Sequence, residues 1–465
     1  DALLKEVASL RNLLERKSEE EAKQKRVIKG LAKISQNKSE KQPSAPASQE
    51  AVPGQPSEKK RAHTNNGAKR KQHLEVEVVE ENVDPEDPRF NKDLARLYKT
   101  RDVIRYELIP MRFIKKVYHV RTYTQNDEYF SGKAPDAPFL NSQYDGSFIA
   151  GMAQLRYMYA MPVERIVKLF NDNGFDMDKG TAHGLLRKTE RLFENLYHVL
   201  GDAIKEDTYI AGDETYHRVL VDTKNKNGKG IKKAYVWVVT AVNTGLVYYF
   251  YHDGSRREDI ILDYIKGYRG AFQSDGFSPY RKMAKWLLRL ACFQHVKRKF
   301  LDCGDDFDTK VIVRLANYIY HQDHKHIIGV DGWTERDHYK WRQQYALPVM
   351  RIIRKKLERM AADKSLLPKT EKYDAVHYML NEWDGLMNIF TRGDYHLDNN
   401  LVERLNRYIS LSRRNSLFFG SHTGARRAAM FYSLACSCRL QGVNFFKYIS
   451  DIINNCLLYT SDAAD

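Results

Sequence analysis

The sequence predicts a mixed α/β core, a mixed sheet flanked by helices, with a large all-helical insertion and an N-terminal helical region. Three observations predict it. Tyr209-Ile-Ala-Gly-Asp-Glu-Thr-Tyr216 runs apolar into two acids, an odd choice for a buried strand because an unpaired buried charge is expensive. Ala271-Phe-Gln-Ser-Asp275-Gly-Phe277 repeats the pattern of apolar strand, Asp and Gly turn. Asp398-Asn-Asn-Leu-Val-Glu403-Arg404 places a Glu inside a stretch that reads as helix. Three carboxylates on two strand ends and one helix are the set needed to hold two hard divalent cations for phosphoryl transfer.

The 465 residues are too many for one ordinary domain. A net charge of +16 predicts a polyanionic partner or a membrane surface. No run of about 18 apolar residues reads as a membrane span. The five cysteines all follow position 291, giving no disulfide framework and fitting a reducing cytoplasm. Nucleic acid is the leading partner.

Residues 1–34 carry Leu3, Val7, Leu10 and Leu14 at heptad spacing. They read as a short coiled-coil helix or a plain surface helix. Residues 35–88 hold Pro, Ser, Gln and Lys and no aromatic residue, so they read as a disordered basic linker. Residues 89–140 read as a small strand-rich region, with alternation over Val117–Tyr123. Residues 141–205 are helical. Two helices meet at Asn173-Gly174, the outline of a helix-turn-helix offering Thr181, His183, Arg187 and Lys188 to DNA.

Residues 206–303 switch to α/β grammar. The strand carrying Asp213 is followed by Ala234–Val242 and Leu246–Tyr251, three antiparallel strands in succession. Arg256–Tyr268 reads as a crossover helix, then comes the strand ending in Asp275. Such a meander, helix and acid-bearing strand outline a ribonuclease-H-like domain. Residues 281–301 hold seven basic side chains and no acid. Residues 304–395 form the helical insertion. Residues 396–455 return to the core with the Glu403 helix, where residues 401–440 place seven arginines against that single acid. Arginines that hold phosphates beside a Glu that holds metal account for this better than solubility does. Residues 456–465 read as a non-native tail.

These strings, with Ala291-Cys292-Phe-Gln-His295-Val-Lys-Arg-Lys-Phe300 and Arg413-Arg-Asn415-Ser-Leu-Phe418-Phe-Gly420, resemble the IS66 family of insertion-sequence transposases, members of the DDE class, over about 140–450. The resemblance implies catalytic, metal-holding acids at Asp213, Asp275 and Glu403, with two Mg²⁺ or Mn²⁺ ions per site. It implies cleavage at the transposon ends and transfer of the freed 3′-OH into target DNA. The implied partners are double-stranded DNA at terminal inverted repeats and target, a second copy of the chain, and accessory proteins of the same element. The implied location is the bacterial cytoplasm at the nucleoid.

The expected DNA-binding residues are Arg187, Lys188, Lys297, Arg298, Arg404, Arg407, Arg413, Arg414 and Asn415. Glu214, His295, Asn399 and Asn400 are expected to support the acids. Family members commonly carry a Cys-based zinc ribbon before the helical region. Here that stretch has no Cys, and no structural zinc is expected. Cys292-x-x-His295 is half a zinc motif, read in the first instance as a buried Cys with a His near the acids. The rival readings are a nuclease or resolvase that cuts without joining, and a silent DNA-binding protein.

Overall fold

The computed structural model describes residues 111–455, apart from 126–127, 133–138, 140–141, 222–229 and 305. All belong to the second of the two units into which the chain divides, Ile104–Asp465. The expected N-terminal helix, basic linker and non-native tail lie outside the described residues, as does the start of the strand-rich region.

The strands β1 (Thr122–Gln125) and β2 (Glu128–Ser131) form an antiparallel hairpin. The alternation over Val117–Tyr123 predicted a strand that starts earlier. Residues 111–121 instead lie outside helix and strand, and Val117, Tyr118 and Val120 are exposed. Alternation makes a strand only where one face finds a surface to bury against.

Helices α1 (Gly146–Ala153), α2 (Val163–Asp172) and α3 (Lys179–Ala203) follow. Asp178 caps α3, its carboxylate accepting from the Thr181 backbone N–H at 2.9 Å. Gly174 makes the turn between α2 and α3 at φ +82°, a conformation that favours glycine.

The core sheet runs β5-β4-β3-β6-β7. Its strands are β3 (Tyr209–Leu220), β4 (Ile231–Ala241), β5 (Val247–Phe250), β6 (Ala271–Ser274) and β7 (Leu288–Ala291). The meander β3–β4–β5 is antiparallel, whereas β6 joins β3 in parallel and β7 joins β6 in parallel. Helix α4 (Glu258–Tyr264) carries the crossover from β5 to β6, and α5 (Ser278–Met283) links β6 to β7.

Period two explains the layers. Val236 and Val238 point into one core with Phe193 and Phe431, whereas Trp237 and Val239 point into another with Ile260, Phe272 and Tyr280. The aromatics of β4 and β5 are therefore sheet core. A third core joins α6 (Phe293–Asp302) to the helices of the insertion: α7 (Phe307–Asp323), α8 (Glu335–Trp341), α9 (Leu347–Ala362), α10 (Glu371–Asn381) and α11 (Trp383–Asn388). It packs Phe293, Ile312, Met350 and Met379 against Leu290 of β7. The chain returns through α12 (Asn400–Ser416), α13 (His422–Leu440) and α14 (Phe445–Asn455).

Between α12 and α13, Phe419 bridges to the far end of β3 and stacks on buried His217, ring centroids 4.0 Å apart. Burial lowers the His217 pKa to about 4, against the opposing bond from its ring to the Arg218 carbonyl. In the unfolded chain the group titrates near 6.5, so the unfolded state binds more protons between these values. Stability should therefore fall as pH drops from 6.5 to 4, by at most about 3 kcal/mol. Chemical unfolding of wild type and His217→Gln at pH 7 and pH 4.5 checks this: the variant should show the smaller loss.

Candidate active site

The register of the sheet builds the site. Ala211 of β3 pairs with Gln273 of β6, and Ser274 of β6 with Ala291 of β7. Continued along the strands, this levels Asp213 with Asp275 and Asp275 with Cys292, on neighbouring strands roughly 4.8 Å apart. The Cys292 N–H donates to the Ser274 carbonyl at 3.0 Å, so β7 stays paired to that point. Gly212 permits the approach, since a Cβ there would lie 2.7 Å from the Phe272 ring.

Helix α12 begins over this row. Buried Asn399 gives its side-chain N–H to the Gly212 carbonyl at 3.0 Å and its backbone N–H to Cys292 Sγ at 3.3 Å. Asn399, Glu403 and Asn406 follow at four- and three-residue spacing and share one face. Asn406 Nδ2 donates to Asp213 Oδ2 at 2.8 Å. Glu403 thus projects from the helix face that touches β3 at Gly212 and Asp213. Its carboxylate lies 3.9 Å from His295 Nδ1 and 3.9 Å from the Arg298 guanidinium.

Burial, then Glu214 and Asp275, push the Asp213 carboxyl well above the usual carboxylate range, against the bond from Asn406. Crowded oxygen donors that repel one another when charged are what a hard divalent cation neutralises. Among the described residues the carboxylates of Asp213, Asp275 and Glu403 do not all lie within 4.8 Å of one another, so Asp213 and Asp275 are the pair that fits such an ion.

Glu214 faces the opposite side of β3, as strand alternation requires, and its side chain is only 3% exposed. It accepts from the Tyr280 hydroxyl at 2.7 Å and from Arg256 Nε at 2.9 Å. Burial raises its pKa, opposed by these two partners, with Asp275 adding repulsion. Both acids of β3 therefore feel Asp275, although they sit on different faces.

The insertion holds the Asp275 turn. Arg289 of β7 donates to the Asp275 carbonyl at 2.8 Å and forms a buried ion pair with Glu382, between α10 and α11. The Gly276 N–H donates to the Tyr378 hydroxyl of α10 at 3.0 Å. A Cβ at Gly276 would collide with that tyrosine. Asp275 Oδ1 accepts from the Phe277 N–H at 3.0 Å. Asn406, Arg256, Tyr280, Arg289 and Glu382 were not expected at the site. Only Asn406 left a trace in the sequence, as the last member of the Asn399–Glu403–Asn406 stripe.

The expected DNA-binding residues divide. Arg187, Lys188, Arg298, Arg404, Arg407 and Arg414 are exposed. Lys297 is half-buried, donating to Asn317 at 3.1 Å and lying over the Tyr320 ring. Arg413 donates to the Tyr216 carbonyl at 2.6 Å and stacks on the Tyr216 ring. Asn415 donates to the Ala160 carbonyl at 3.0 Å, so these three make contacts within the protein. Asn400, expected to support the acids, gives its backbone N–H to Asp398 Oδ1 at the start of its own helix. Burial pushes the Cys292 thiol up to about 12. Cys436 and Cys438 are buried in α13, where Cys436 contacts Tyr249, and they do not join the Cys292 group.

The profile described as Transposase IS66 family matches residues 141–427, more than half of the chain. Protein y4jD of Sinorhizobium fredii (strain NBRC 101917 / NGR234) is 25% identical over 318 residues, 64% of this chain and 60% of that protein. Protein y4qI of the same strain is 23% identical over 401 residues, 81% of this chain and 72% of that one. The chain thus spans less than two thirds of the first of these relatives. A solved structure, the Drosophila P element transposase strand transfer complex, superposes with a TM-score of 0.30 at 11% identity over 63% of this chain and 92% of that chain. That superposition is too loose to bear on the fold.

Proposed function

We propose a DNA-cutting and DNA-joining activity for this chain, which belongs to the IS66 family of transposases. The observation that carries the reading is the register that levels Asp213 with Asp275, with α12 laid over them by Asn399 and Asn406. The sheet order, three antiparallel strands extended by two parallel ones, supports a ribonuclease-H-like core. Asp213, Asp275 and Glu403 would hold two Mg²⁺ or Mn²⁺ ions. When bound, such ions stabilise the attacking and leaving oxygens of an in-line displacement at phosphorus.

The chain's own residues orient and bind. Asn406 fixes the rotamer of Asp213, while Arg256 and Tyr280 hold Glu214 on the far face. Arg298, Arg404 and Arg407 supply charge to the phosphates beside the acids. The pair α2–α3 would present Arg187 and Lys188 to the end sequence as a helix-turn-helix. Hydrolysis at the element end would free a 3′-OH, and that hydroxyl would attack target DNA in the same site. Joining both ends calls for at least two copies of the chain. Among the described residues no helix is long and apolar enough to cross a membrane.

The test uses end-labelled terminal DNA, Mg²⁺ and an unlabelled target. The reading expects label in a product longer than the substrate. Shortened label alone would make the chain a nuclease, and binding without any product would make it a silent DNA-binding protein.

Arg407 lies one turn past Glu403 and shares its face. Arg407→Ala should lower the cleavage rate at saturating DNA by about a hundredfold, the scale of losing one donor to developing charge. Arg414→Ala should leave that rate alone and flatten the salt dependence of binding by about 0.9 in log–log slope per lost phosphate contact. Arg413→Ala, which frees Tyr216, should lower the melting temperature instead. Measuring rate, salt slope and melting on all three separates these roles.

A further inference from the structure

Cys292, His295 and Glu403 bring a sulfur, an imidazole nitrogen and a carboxylate oxygen within 4.8 Å of one another. Cys292 stands at the N-terminal cap of α6, and His295 lies in its first turn. At i and i+3 they face the same way. Glu403 arrives from α12. His295 Nδ1 and Glu403 Oε1 are 3.9 Å apart, too far for a hydrogen bond. Both atoms are buried and have no hydrogen-bond partner among the described residues. Leaving two buried polar atoms unmatched is costly, and a cation between them would satisfy both. The Asn399 backbone N–H points at the sulfur from 3.3 Å.

The donor set decides which cation. Thiolate, imidazole and carboxylate suit Zn²⁺, whereas Mg²⁺ takes oxygen ligands and avoids sulfur. We propose that Cys292, His295 and Glu403 form a zinc site that joins α6 to α12, with its fourth position open to solvent. The site lies beside the Asp213–Asp275 pair, with Cys292 level with Asp275 on the next strand, and shares Glu403 with the proposed catalytic set. Zinc bound here would hold Glu403 against Cys292 and His295 and so draw it from the aspartates. That consequence makes zinc an inhibitor, and it rests on the catalytic reading above, whereas the zinc site itself does not.

Cobalt reports the site without any enzymatic assay. Co²⁺ titrated into the full chain in the absence of DNA should give a near-ultraviolet thiolate-to-cobalt absorption saturating at one ion per chain. Cys292→Ser should abolish that absorption. His295→Gln should weaken binding at least about 10- to 100-fold, the cost of losing even an outer partner of a metal ligand. Cys303→Ser, outside the group, should behave as wild type. A wild-type chain without the absorption overturns the proposal, as does a Cys292→Ser chain that melts normally and retains it. Added Zn²⁺ should also slow Mg²⁺-dependent cleavage by wild type and not by Cys292→Ser. A chain that shows the cobalt signal but never cleaves DNA keeps the zinc site and removes the catalytic reading.

Discussion

Asp213→Asn and Asp275→Asn are each expected to reduce metal-dependent cleavage of end DNA by at least about a thousandfold, because each would remove a carboxylate proposed to hold the ions on which the displacement would depend. End binding should change little, since on the proposed reading the acids would hold cations and exposed arginines such as Arg407 would hold phosphates. Neither variant should be less stable than wild type. Asn at 213 keeps the acceptor for Asn406 and removes the charge that burial, Glu214 and Asp275 disfavour. It should therefore melt no lower than wild type without metal. Asp275 anchors its own turn through the Phe277 N–H, a bond that the Asn side-chain oxygen can still accept. Cleavage rates, gel-shift affinities and melting curves measured on the same preparations check all three expectations. A variant with wild-type cleavage would take its residue out of the site.

Glu382→Ala is expected to destabilise the protein by about 3–5 kcal/mol, the cost of leaving a buried charge without its partner. Arg289 is 4% exposed and Glu382 1% exposed, so solvent cannot replace the lost carboxylate. The effect should reach the chemistry, because Arg289 also fixes the Asp275 carbonyl. Activity should fall in proportion to the loss of order in that turn, even at temperatures where the variant stays folded. The double variant Arg289→Met with Glu382→Leu should recover much of the stability, since an apolar pair of similar volume can replace a buried ion pair. It should not recover the activity. Urea unfolding combined with cleavage assays on both variants separates the two contributions.

What the sequence revealed was whatever is encoded locally. The strands β3, β4, β5 and β6 were legible because each is buried on at least one face and carries the β-branched and aromatic residues that such surfaces select. Asp275 was placed correctly one residue past β6, where a carboxylate at the end of an apolar strand contradicts its surroundings, whereas Asp213, read as a strand end, lies inside β3, which runs on to Leu220. The hairpin at 122–131 was misplaced because exposed alternation carries no information about a partner. Arg256, Tyr280 and Glu382 were not legible at all. Glu382 pairs with Arg289 across 93 positions of sequence, and nothing near either residue signals the other. The same holds for Glu403 and His295, whose meeting depends on the insertion bringing α12 back over the end of β7. Arg413 and Lys297 were read as phosphate ligands from charge alone, yet Tyr216, Asn317 and Tyr320 hold them.

On the proposed reading Asp213, Asp275 and Glu403 would act as one hard-metal site. Bound Mn²⁺ can be counted through the loss of the free ion's paramagnetic resonance signal, on the chain bound to end DNA. Cys292→Ser serves as the background, so that the sulfur-containing site does not contribute. Asp213→Asn, Asp275→Asn and Glu403→Gln should each lower the number of ions held. Glu403→Gln binding Mn²⁺ as tightly and in the same number as the background chain, while both Asp variants lose it, would contradict the claim and leave the metal to the aspartates alone.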